Sequence, residues 1–92
     1  MNPEDLRNRT KKFALDVIKF LENLPYKKSY NIIPNQLIRS STSIGANYRA
    51  ACKARSRADF ISKITISEEE ADESIYWLEL LIALINPPNP VL

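Results

Sequence analysis

The chain has 92 residues, with 13 Lys and Arg against 11 Asp and Glu, no histidine, one cysteine (Cys52) and one glycine (Gly45). That length allows one domain at most, and the counts exclude Ser–His and Cys–His nucleophile pairs, His-based zinc sites, an internal disulfide and a Gly-rich phosphate cradle. No apolar run approaches the ~18 residues of a membrane span, and Met1–Asp5 does not open a secretory signal, so the expected setting is a reducing cytoplasm.

Asn2 is a suitable N-cap, Pro3 fits the first helical position, and Glu4 and Asp5 favour the positive end of a helix dipole. Leu6, Phe13, Val17, Leu21 and Leu24 then recur at helical spacing, until Pro25 disfavours helix in the residue before it. Residues 25–30 form a polar connection. A second helix is expected from a cap at Asn31, with Pro34 in its first turn and a stripe of Ile33, Leu37, Ser41, Ile44, Tyr48 and Ala51. This helix is rich in Ser and Ala and carries the one Gly, small residues that let neighbouring backbones approach closely; Gly45 costs about 1 kcal/mol of helix propensity against Ala and implies a packing contact. Ser56-x-x-Asp59 is a capping-box variant opening a third helix. Its stripe is Phe60, Ile64, Ala71, Ile75, Leu78, Ile82 and Ile85, with Ser67 between, and the proline-rich stretch from Asn86 to Pro90 stops it. Sustained alternation is absent, so no strand is expected.

The expected fold is all-α: an antiparallel up-down bundle in one domain, with helices over about 3–24, 32–54 and 57–86. At ~1.5 Å per residue the third helix is about 45 Å long against about 33 Å for the others, and overshoots them. Its last turns are apolar nearly all round, which suggests self-association through Trp77, Leu81, Ile82, Leu84 and Ile85. Trp77 suits a core or interface anchor whose indole N–H needs an acceptor; a stacking platform for bases is the sharper alternative. Cys52, among alanines, suits a small buried hydrophobe, and no catalytic partner is visible for its thiol.

Arg49, Lys53, Arg55 and Arg57 cluster at the turn between helices 2 and 3. They could grip phosphates, or simply suit a helix C-terminus and a solvated loop. The acidic run Glu68-Glu69-Glu70-Ala71-Asp72-Glu73 could in principle hold a metal or act as acid and base, but without histidine a bundle metal site is not expected. Cross-helix pairing is the better account. Folding the hairpin about residues 55 and 56 sets Arg39 opposite Asp72 and Ile44 near Ser67, and predicts an Arg39–Asp72 or Arg39–Glu73 contact that fixes register. Ser40, Ser41, Thr42 and Ser43 lack a base and serve helix packing. No catalytic residue, cofactor or metal ligand is expected.

Three ordered blocks carry a resemblance. They are Gln36 to Ala51 (QLIRSSTSIGANYRAA), Arg55 to Lys63 with Ala58-Asp59-Phe60-Ile61, and Glu70-Ala71-Asp72-Glu73-Ser74 with Tyr76-Trp77-Leu78-Glu79. Over roughly residues 6–85 the chain closely resembles the bacterial four-helix bundle proteins of the 23S rRNA intervening-sequence family, which is similar to the accessory variability protein of diversity-generating retroelements. That protein is a barrel-shaped homopentamer that binds nucleic acid and a reverse transcriptase. The resemblance implies a helical bundle, a ring-like homo-oligomer, and a non-enzymatic role with RNA or DNA and a reverse transcriptase as partners. Family members continue into a fourth helix, whereas this sequence closes at Pro90-Val91-Leu92; an apolar groove covered by partner chains is therefore expected. The chain is thus expected to be a self-associating scaffold engaging RNA or DNA through Arg49, Lys53, Arg55 and Arg57. The alternative is an interaction module for a nearby-encoded polymerase-like enzyme, contacting it through Glu68–Glu79 without touching nucleic acid.

Overall fold

A computed structural model describes residues 2–24 and 32–85, which form α1 (Pro3–Glu22), α2 (Ile32–Cys52) and α3 (Arg57–Ile85) and, among the described residues, no strand. The fold is an all-α helical bundle with α2 in the middle: it packs against both neighbours, while α1 and α3 barely meet. The expected connection at 25–30, the cap at Asn31 and the stop at 86–90 lie outside the described residues.

Local chemistry sets the helix ends. At the start of α1 the Asp5 N–H donates to Asn2 Oδ1 at 2.9 Å, and the Asp5 carboxylate faces the Asn2 N–H in return, with proline inside the first turn. This reciprocal arrangement satisfies donors that a helix leaves open. The helix closes at Glu22 rather than Leu24, because Asn23 N–H and Leu24 N–H reach back only three residues, to Phe20 and Leu21. The same tightening ends α2 at Cys52 rather than Ala54: Lys53 N–H bonds Ala50 and Ala54 N–H bonds Ala51. Bonds of this i→i−3 type narrow the last turn and stop the α-helix. Ser56 Oγ then accepts from Asp59 N–H at 3.0 Å and opens α3.

Small polar side chains line the seam between α2 and α3. Ser40, Ser41 and Ser74 are fully buried. Ser74 Oγ lies 2.8 Å from Ser40 Oγ and 2.9 Å from the Glu70 carbonyl, and Ser67 Oγ donates to the Ile44 carbonyl at 2.9 Å. Each hydroxyl finds a partner, which removes the penalty of burying it, and each is small enough to let the two backbones come together. On the other side of α2, a β-carbon on Gly45 would lie 3.1 Å from Thr10 Oγ1, so the glycine admits α1 at close range.

The apolar core is correspondingly small. Val17, Leu37 and Leu81 form its buried centre, with Leu21, Ile33, Trp77 and Ile85 packed around it. Here the structure corrects the sequence-based expectation for Leu81. It is fully buried within its own chain, and so is a core residue rather than part of an exposed interface. The end of α3 is not a bare overshoot, because the C-terminal end of α1 and the start of α2 pack against it.

The predicted stripes also divide. Phe13 on α1 is 37% exposed, and Ile75 and Ile82 on α3 are 54% and 52% exposed. Phe13, Leu6, Ile44, Ala71 and Ile75 line an open groove of about 410 Å³ between α1 and α3. Of the α3 stripe, Ala71 and Ile75 face this groove and Leu78 and Ile85 pack against the core, while the serine line faces α2.

Candidate nucleic-acid interface

The up-down-up order gathers three chain segments at one end of the bundle: the first turns of α1, the last turns of α2 and the start of α3. Two helix N-termini therefore share that end, and the positive ends of their dipoles favour an anion there. Arg7 from α1 joins Arg49 and Lys53 from α2 around a pocket of about 330 Å³, with Cys52 completing its wall. Arg49 and Lys53, singled out in the sequence, are thus brought together, and Arg7 is added. Arg55 and Arg57 are exposed in the adjoining turn without lining this pocket. Glu4, Asp5 and Asp59 lie at the same end; the Asp5 carboxylate serves the α1 cap, whereas Asp59 joins the α3 cap through its backbone N–H.

A second, larger pocket of about 770 Å³ adjoins the first and shares Arg7 and Cys52 with it. Tyr48 and Phe60 bring aromatic surface to this pocket, and Asn2 and Glu4 stand at its wall. Phe60 is 44% exposed. Burial raises the pKa of the Tyr48 hydroxyl, and the adjacent Cys52 adds to the shift, so the phenol stays neutral beside the cations. Cys52 itself is exposed, against the expectation of a buried small residue. It is the last residue of α2, and at that end Ala51 takes the inward position.

Arg7 is not singled out in the linear sequence, and Tyr48 and Phe60 are placed there on the apolar stripes of α2 and α3 rather than at the basic end. They become neighbours of the basic turn only through packing. The antiparallel return of α1 on α2 is the one feature that could have pointed to Arg7.

Arg39 occupies a separate site on the α2–α3 seam. Its Nη1 donates to Glu70 at 2.8 Å, its Nη2 to Glu73, and its Nε to Gln36 at 3.2 Å. Of the two contacts expected for Arg39, the structure has the one to Glu73 and adds Glu70; Asp72 is exposed and takes no part. At about 100° per residue, Asp72 points away from the face that Glu70 and Glu73 share. The Arg39 hydrogen bond holds the Glu73 carboxyl below the usual carboxylate range, with a smaller contribution from the nearby Trp77 indole. Trp77 Nε1 is buried and forms no hydrogen bond of normal geometry among the described residues. Trp77 stands about 30 Å along α3 from Arg57, too far to serve the basic end.

The acidic run offers no assembled ligand set: among the described residues, no three acidic or cysteine side chains converge as a metal ion would need. The hydroxyl run is tied to the helix backbone, Ser40 to Leu37, Ser41 to Ile38 and Thr42 to Ile38. No helix among the described residues is long and apolar enough to cross a membrane.

Among curated proteins none matches this chain. A crystal structure of a protein of unknown function from the S23 ribosomal protein family of Bacteroides thetaiotaomicron superposes with a TM-score of 0.82 at 40% identity, covering 91% of this chain and 75% of that one. The sequence model of the 23S rRNA-intervening sequence proteins matches residues 4–85. With most of its length matched in order and its three helices superposing on those of a solved relative, the chain belongs to the 23S rRNA-intervening sequence protein family.

Proposed function

We propose that this protein is a non-enzymatic, self-associating helical scaffold that binds structured RNA or DNA through the basic end of its bundle. The observation that carries the proposal is the convergence of Arg7, Arg49 and Lys53 on one pocket, with Arg55 and Arg57 beside it and two helix N-termini at the same end. Cations held at fixed spacing meet a phosphate backbone and release its counterions. Self-association is supported by the apolar surface that the described residues leave exposed: Phe13 and Ile75 along the groove, and Ile82 and Leu84 near the end of α3. Contiguous apolar surface of this kind marks an interaction face.

The test is binding to a structured RNA or DNA at two salt concentrations, with sedimentation run in parallel. Three phosphate contacts predict a loss of affinity of about 40-fold between 50 and 200 mM salt. The combined R7A, R49A and K53A substitutions are expected to remove most of that dependence. No binding at 50 mM salt refutes the nucleic-acid part of the proposal. A purely monomeric species at micromolar concentration refutes the self-association part.

A further inference from the structure

We propose that the basic end of the bundle holds a single unpaired nucleotide, its base in the larger pocket against Phe60 and Tyr48 and its phosphate in the smaller pocket on Arg7, Arg49 and Lys53. This rests on the nucleic-acid role argued above and narrows it to a class of ligand.

The two pockets differ in chemistry and are contiguous. One is lined by two aromatic rings with alanine and proline, the other by three cations, and Arg7 and Cys52 belong to both. A nucleotide has the same division, an aromatic ring at one end and a dianionic or monoanionic phosphate at the other. The larger pocket, at about 770 Å³, lies within the range of about 300–1,000 Å³ usual for small-ligand sites. Glu4 sets the orientation: its carboxylate at the wall of the aromatic pocket repels a phosphate there, while the cations next door attract one. The Asn2 side-chain oxygen is engaged by the Asp5 N–H, which leaves its NH2 group to meet an acceptor on the base edge.

The base must be unpaired. Inside a duplex both faces of a base are stacked on neighbours, and neither Phe60 nor Tyr48 could reach one. A fully paired helix would meet only the cations. Bulges, loops and strand ends offer both halves of the site at once.

The experiment compares a short hairpin carrying one bulged purine with the same hairpin fully paired, made in RNA and again in DNA, since a nucleotide of either carries the base and the phosphate. Binding is followed by anisotropy, and by 2-aminopurine fluorescence at the bulge. The bulged form is expected to bind about tenfold more tightly in at least one of the two series, with its fluorescence quenched, within the range contributed by one base–aromatic stack. F60A is expected to bring the bulged form down to the level of the paired one while leaving paired binding within about twofold; F60W should retain the preference. The combined R49A and K53A substitutions should weaken both forms alike. Far-UV circular dichroism checks that each variant keeps its helices. Equal binding of bulged and paired forms in both series, or a preference that survives F60A, overturns this inference and leaves the broader nucleic-acid proposal standing. Failure to bind any of the four hairpins overturns both.

Discussion

The hydroxyl seam between α2 and α3 makes a quantitative prediction. Ser40 and Ser74 are fully buried, with their oxygens 2.8 Å apart. Ser74 has a second acceptor in the Glu70 carbonyl at 2.9 Å, and Ser40 has a longer one in the Leu37 carbonyl at 3.3 Å. With one proton on each hydroxyl, Ser40 can donate to Ser74 while Ser74 donates to Glu70. S74A leaves Ser40 only the longer contact and is expected to cost about 1.5 kcal/mol; S40A leaves Ser74 bonded to Glu70 and is expected to cost about 1 kcal/mol. The double substitution removes both polar groups together and is also expected to cost about 1.5 kcal/mol, so the singles overshoot it by about 1 kcal/mol. Each alanine regains about 0.5 kcal/mol of helix propensity. S62A, at an exposed position of α3, measures that offset directly. Urea unfolding followed by circular dichroism at one fixed protein concentration gives the offset and the three corrected values. Additivity of the two singles to within about 0.3 kcal/mol would refute the claim that these hydroxyls act as a pair across the seam.

Two further predictions follow from the other contacts that hold α2. G45A gains about 1 kcal/mol of helix propensity, but its new β-carbon would sit 3.1 Å from a Thr10 hydroxyl that is tied to the Leu6 carbonyl at 2.8 Å. Stability within about 0.5 kcal/mol of the parent is expected for G45A alone, and the full gain of about 1 kcal/mol when T10A is the background, both by urea unfolding; a full gain without T10A would refute the close approach of α1. The Arg39 contact lowers the folded-state pKa of Glu73, so that contact contributes stability above the unfolded carboxylate pKa and loses it as pH falls through the lower, folded value. E73Q should therefore be less stable than the parent at pH 7, with the gap closing progressively below about pH 4; a gap independent of pH would refute the ionic origin of the contact.

Much of this fold was legible in the sequence, and the parts that were not share a physical cause. Helix starts at Pro3 and Arg57 were readable because caps are local: Asn2, Ser56 and Asp59 act within three residues of themselves. The hairpin register was readable to within a turn because a short connection leaves little choice, and Ser67 does meet Ile44. What failed was the assignment of faces on α3. A stripe drawn through Phe60, Ile75 and Ile82 follows hydrophobicity and takes in Ser67 between them, yet the inner face of α3 runs on from Ser67 through Ser74 and Leu81, spaced at seven residues, and leaves Phe60, Ile75 and Ile82 exposed. Close helix approach selects small side chains, and a hydrophobicity pattern passes over them. For the same reason Leu81, in a segment apolar on every side, offered nothing by which to choose inward from outward. Arg7, Tyr48 and Phe60 were missed because three separate helices supply the basic end, and only packing brings them together. The hydrophobic residues of α3 therefore describe two surfaces, and among the described residues only one of them is covered. The serine seam needs little apolar area to hold α2 and α3 in register, which leaves Ile75 and Ile82 without a role in that pairing. Isoleucines at these positions gain further burial energy only from something laid across the groove at Ile75 and over the end of α3 at Ile82. That is the physical reason to expect this bundle to work in company rather than alone.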